Sequence, residues 1–167
     1  MRALLQRSVL ALATVAALVA PARAGELKEG DAAPAFAAKG DDGKDYSLAS
    51  LKGKTIVLYF YPKDDTPGCT IEAQEFRDAF EKFTAKGAVV FGVSLDDAAS
   101  HAAFRAKYKL NFPLLVGGEA IAKVYGVPTT GGYAARQTFV IGKDGKLKKV
   151  FRQVTPRGHS AEILKLL

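Results

Sequence analysis

Apolar and polar positions along this chain follow two different periods. Residues 55–61 (TIVLYFY) form an uncharged run of β-branched and aromatic side chains, which predicts a strand covered on both faces. From residue 69 to 86 the period changes. Ala73, Phe76, Phe80 and Phe83 recur at helical spacing, while Glu72, Glu75, Arg77, Glu81 and Lys82 fall mostly on other faces. That spacing predicts a helix over 69–86, with acids early, Lys82 and Lys86 in its last turns and Gly87 as its stop. One helical step back from Ala73 stands Cys69, whose side chain is therefore expected to face the protein body.

The remaining pattern alternates in the same way. Residues 35–47 read as a hairpin turned by Gly40-Asp41-Asp42-Gly43, and 47–53 as a short helical turn. Residues 88–95 (AVVFGVSL) predict a second buried strand. A helix opens within 96–99 and runs to about Tyr108, with Ala103, Phe104 and Tyr108 inward and His101 solvated in its first turn. A short strand over 112–116 and a helix over 119–125, stopped by Gly126, come next. Residues 137–142 and 146–154 form a hairpin around Lys143-Asp144-Gly145, and 160–167 a closing helix that begins beside His159. Strands alternating with helices, followed by a hairpin and a helix, predict one α/β domain with a thioredoxin-like fold, a central mixed sheet flanked by helices.

Composition changes this picture at one end. An apolar share of 49% beside 25% charged residues excludes a disordered or collagen-like chain and fits one domain within 167 residues. Residues 1–24 read differently from the rest. Arg2 and Arg7 precede the small and apolar run 8–20 (SVLALATVAALVA), and Ala22-Arg23-Ala24 follows. This is the form of a secretory signal cleaved after Ala24, leaving a domain over 25–167 with no lasting membrane association; an uncleaved anchor is the alternative. Losing Arg2, Arg7 and Arg23 lowers the formal charge from +7 to +4. The mild basic cluster of Lys146, Lys148, Lys149, Arg152 and Arg157 fits protection of an edge strand, and no nucleic-acid partner is expected. Export points to an oxidising compartment, yet the chain has one cysteine. An internal disulfide, a CxxC motif and a cysteine-based zinc site are thereby excluded, which leaves a reactive thiol or an intermolecular bridge.

Cys69 sits just past the strand and a Pro67-Gly68 turn, at the start of the helix. Unpaired N–H groups and the partial positive charge of a helix start favour a thiolate, the nucleophilic form of cysteine. Thr66 stands within reach of the sulfur or serves as a cap. Glu72 works against the anion unless a cation pairs with it.

The spacing Pro62-x-x-x-Thr66-x-x-Cys69, within YFYPKDDTPGCTIEAQEFRD, resembles the active-site signature of the peroxiredoxins and, more closely, of the bacterioferritin-comigratory or peroxiredoxin Q subfamily. Gly92-Val93-Ser94, Tyr125-Gly126-Val127 and Arg136-Gln137-Thr138-Phe139-Val140-Ile141 extend the resemblance to essentially everything from Leu27 onward. It implies a thioredoxin-like fold of the peroxiredoxin type and a thiol peroxidase that reduces hydrogen peroxide and organic hydroperoxides through a sulfenic acid. It makes Cys69 the nucleophile, Thr66 the hydroxyl that holds the peroxide, Arg136 the guanidinium beside the sulfur, and Pro62 a shield against water. No metal or other cofactor is implied. Many members carry a resolving cysteine five residues after the first, where this chain has Gln74. The implied enzyme is thus a one-cysteine form, a monomer or weak homodimer, recycled by an external thiol or a thioredoxin-like reductant. The segment 127–133 is shorter than the resemblance leads one to expect. Two other classes stay open on the residues alone: a cysteine hydrolase with His101 or His159 as base, and a non-enzymatic thioredoxin-fold binding or holdase module.

Overall fold

The computed structural model describes residues 26–167, so the expected leader over 1–24 lies outside the described residues. The elements run β1 (Ala37–Lys39), β2 (Asp45–Ser47), β3 (Thr55–Phe60), α1 (Pro67–Asp78), α2 (Phe80–Ala85), β4 (Ala88–Val93) and α3 (Ala98–Tyr108). They continue as β5 (Leu114–Leu115), α4 (Gly118–Tyr125), β6 (Thr129–Thr130), β7 (Tyr133–Ala134), β8 (Gln137–Ile141), β9 (Leu147–Phe151) and α5 (His159–Leu164). No helix among the described residues is long and apolar enough to cross a membrane.

Five strands form the central sheet in the order β5-β4-β3-β8-β9. β3 pairs with β4 in parallel and with β8 antiparallel, which makes the sheet mixed. Every residue of β3 is buried, as its uncharged run requires. Its alternation divides the core: Val57, Tyr59 and the following Tyr61 join Cys69, Ala73, Phe76 and Phe83 on one face. Ile56, Leu58 and Phe60 join Phe91, Tyr125 and Phe139 on the other. Full burial of each of these large side chains contributes about 1.5–3 kcal/mol. Gly92 on β4 is needed for this packing. A Cβ there would lie 2.8 Å from Tyr59 Oη and 2.7 Å from Leu114 Cδ2. Its absence leaves Tyr59 room to stack on Phe76, ring centroids 4.6 Å apart, beneath α1.

Several expected elements differ in detail. The helix over 69–86 is two helices, because the ladder lapses at Ala79, where φ −93° and ψ 0° place the backbone in the bridge region. Residues 47–53, by contrast, make the expected helical turn, with Leu51 N donating to Ser47 O at 3.2 Å. On α3 the inward face is Ser100, His101, Phe104 and Tyr108; Ala103 is exposed and His101 is fully buried, the reverse of expectation. β6 and β7 form a two-stranded ribbon in a segment the sequence pattern left without elements. With β5 at the other edge, β9 is an edge strand, as its lysines suggested. Part of that edge is covered by the first described residues, with Gly30 N donating to Leu147 O at 2.8 Å and Leu147 N to Asp31 O at 2.9 Å.

Candidate active site

The chain leaves β3 at Tyr61, turns through 62–66 and enters α1 with Thr66 at its N-cap and Pro67 in the first position. Proline suits that position because its missing N–H would have had no partner there. Cys69 is the third helical residue and is 1% exposed. Thr66, half-buried, makes no capping bond with its side chain; its Oγ1 instead donates to Lys63 O at 3.0 Å, closing the turn. Both lone pairs of the hydroxyl stay available as acceptors. Pro62 is half-buried between the buried Tyr61 and the exposed Lys63.

Arg136 reaches this helix start from the sheet. Gln137 pairs with Phe60, so antiparallel register sets Arg136 one residue beyond, beside the chain leaving β3. Its Nη2 donates to Cys69 Sγ at 3.3 Å, and its Nη1 donates to Glu72 Oε2. Gly68 lies against this guanidinium: a Cβ there would stand in ordinary contact, 3.4 Å from Nη2 and 3.6 Å from Pro156 Cγ. One guanidinium thus bridges the sulfur and a carboxylate three residues along the same helix face.

The electrostatics follow from burial. Glu72 is fully buried and its Oε1 has no partner among the described residues. Burial raises its pKa to about 7, with Arg136 pulling the other way. For Arg136, burial disfavours the charge, but Glu72 and Cys69 outweigh it and hold the guanidinium's pKa above its ordinary value. Glu72 therefore has its cation, one that no local pattern in the sequence could name, since Arg136 lies 64 residues away.

Neither histidine serves the sulfur. His159 is buried, with Nε2 2.9 Å from Thr138 Oγ1 and its ring edge-on to Phe151, and burial lowers its pKa. His101 is bound to Asp64, Nδ1 to Oδ2 at 2.9 Å. The hydrogen-bond partner of Cys69 is Arg136 instead. Sequence reasoning missed Asp64, which is 6% exposed, and also Glu75, whose carboxylate receives Gly158 N at 2.7 and 2.9 Å and ties α5 to α1. Nothing local in the run Lys63-Asp64-Asp65 signals burial of Asp64, and only its distant partners reveal it.

Comparison with known proteins gives consistent matches. The AhpC/TSA family matches residues 29–150. Peroxiredoxin Q, chloroplastic, of Suaeda salsa is 47% identical over 146 residues, covering 85% of this chain and 68% of that protein. The protein of the same name from Arabidopsis thaliana is 45% identical over the same shares. Among solved structures, a cysteine-to-serine mutant of Xylella fastidiosa PrxQ superimposes with a TM-score of 0.79 at 31% identity, over 84% of this chain and 95% of that one. The bacterioferritin comigratory protein of Xanthomonas campestris, described for its alkyl peroxide reduction activity, gives 0.73 at 33% identity over 78% and 88%.

Proposed function

The chain belongs to the AhpC/TSA family, in its peroxiredoxin Q branch, and is a thiol-dependent peroxidase; on that premise we propose that Cys69, Thr66, Arg136 and Pro62 carry the reaction in a one-cysteine cycle. The observation that carries this reading is the buried Cys69 sulfur at a helix start, 3.3 Å from an Arg136 nitrogen. The thiolate attacks one oxygen of the hydroperoxide, the O–O bond breaks, and an alkoxide or hydroxide leaves and takes up a proton. Cys69 becomes a sulfenic acid. Thr66, its own hydrogen engaged by Lys63, accepts the hydroperoxide O–H. Arg136 and the N–H groups of the helix start meet the charge growing on the leaving oxygen. Glu72 holds the guanidinium in place, and Pro62 limits water at the sulfur.

Recycling uses two external thiols. The first condenses with the sulfenic acid, giving a mixed disulfide and water, and the second releases Cys69 as a thiol. Support comes from Gln74 standing in the resolving position. A monomer or weak homodimer suffices, because Val124 and Tyr133 are the large hydrophobics that stand exposed among the described residues. Residues 1–24 direct export and are removed after Ala24, a reading supported by their basic start, apolar run and Ala-Arg-Ala. The chloroplastic location in the plant relatives' names is said of those proteins.

Cys69→Ser is expected to abolish peroxide reduction. One equivalent of peroxide should give the parent protein a sulfenic acid that a dimedone-type probe traps. Excess peroxide without thiol should drive it to sulfinic acid and inactivate it. Rapid, complete conversion to a disulfide-linked dimer would overturn the external-thiol cycle. Mass spectrometry of envelope protein should find Gly25 at the N-terminus, and an intact Met1 would overturn cleavage.

A further inference from the structure

The turn that presents Thr66 is gripped by one face of α3. Asp64 accepts three hydrogen bonds: from Tyr61 Oη at 2.7 Å, from Ser100 Oγ at 2.7 Å, and from the His101 ring, 2.9 Å away. Its backbone N–H donates to Asp96 Oδ2 at 2.9 Å, and Ser94 Oγ donates to the same oxygen at 2.7 Å. Asp65 has φ +56°, a left-handed conformation that costs a non-glycine residue roughly 1–2 kcal/mol. It is held there by Lys107 Nζ, 2.6 Å away, and by the Tyr108 hydroxyl. Ser100, His101, Lys107 and Tyr108 share one helical face, and each of them contacts this short turn.

We propose that His101 is a positioning residue for peroxide reduction: through Asp64 it fixes the turn that sets the Thr66 hydroxyl against the substrate. Two features of the pair argue for placement over stability. A buried carboxylate–imidazole pair contributes little net stability compared with apolar side chains of the same size. In addition, His101 Nε2 has no partner among the described residues, so the ring satisfies only the nitrogen that faces the turn. Burial opposes the Asp64 charge, yet His101, Tyr61 and Ser100 hold its pKa below the ordinary carboxylate value, so the anchor is an anion near neutral pH. Asp64 and Thr66 are two residues apart, and Lys63, the residue between Pro62 and Asp64, receives the Thr66 hydroxyl. A shift of Asp64 therefore moves Thr66 directly.

This inference rests on Thr66 as the peroxide-holding hydroxyl, and the experiment separates the two. His101→Leu removes the donor, and His101→Asn returns a donor near the Nδ1 position. For each, the second-order rate with hydrogen peroxide is measured beside the rate of Cys69 alkylation by iodoacetamide, which needs the thiolate and not Thr66. His101→Leu should slow the peroxide reaction about ten- to hundred-fold while alkylation changes less than about two-fold, and His101→Asn should recover most of the loss. Ser100→Ala, a lighter change at the same carboxylate, should show a smaller loss of the same kind and decides the matter if His101→Leu does not fold. Peroxide rates unchanged in these variants, or both rates falling together, overturn the proposal. Thr66→Val run in parallel should also slow the peroxide reaction; if it does not, the reading of Thr66 falls, and this inference with it.

Discussion

The turn at 62–66 and the ribbon at 129–134 both lead into the same site, the first toward Cys69 and the second toward Arg136, yet they are held in opposite ways. The turn is secured by polar groups withdrawn from water: Asp64 is 6% exposed and accepts three hydrogen bonds. The ribbon stands mostly in solvent, with Ala134 at its end turned into the core. Thr129, Thr130 and Tyr133 are exposed, two residue pairs make its ladder, and Ala135 N to Pro128 O at 2.8 Å closes its base. It meets the turn through the Lys63 ammonium, 5.7 Å from the Tyr133 ring centroid. Position in the site is therefore fixed from the α3 side and from the sheet, and the ribbon only joins fixed points.

If so, substitutions should grade sharply between the two. The largest effect is expected at Arg136, which follows the ribbon but is positioned by β8. Arg136→Ala should lower the peroxide rate about 10²- to 10³-fold, the loss typical of one donor to a developing charge, with the fold retained by circular dichroism. A normal rate would mean that the guanidinium plays no part.

Glu72→Gln comes next and reads out as stability against pH. The folded-state pKa of Glu72, about 7, lies above the ordinary carboxyl value of 4.5. A carboxyl raised in this way gives its stability below the lower value, and that stability is lost as pH rises through the higher one. The parent should therefore lose stability across about pH 4.5 to 7 relative to Glu72→Gln, with Tm curves that diverge in this window. Parallel curves would show that Arg136 keeps the carboxylate fully ionised in the fold.

Tyr133→Ala should do least. A change within about 0.5 kcal/mol of unfolding free energy is expected, as for surface sites without buried partners, with the peroxide rate unaltered. A large loss there would erase the contrast between turn and ribbon.

The difference also explains what could be read in advance. The buried strand, the helix start and Cys69 announce themselves through local period and turn residues, and the Arg136 role came with the resemblance. His101 was not legible. A Ser-His pair near a helix start carries no local sign of burial, and its burial is created by Asp64, 37 residues earlier in the chain. Ala103 misled for the same reason, because small side chains fit either face of a helix and the larger residues decide which face turns inward. The break at Ala79 also has no sequence signal, alanine being the best helix former. The β6–β7 ribbon had one in Gly131-Gly132, but two-residue strands fall below the length at which alternation can be counted.

The pairing of Gln137 with Phe60 has a consequence for engineering. Arg136 is indexed to the sheet and not to the length of chain that precedes it. Residues inserted at Gly131-Gly132 should leave the guanidinium where it is. A single deletion inside β8, by contrast, turns every following side chain to the opposite face of the sheet. The ribbon is thus a segment whose length can change while the guanidinium stays beside the sulfur, and such insertions separate what the sheet holds from what the loop merely connects.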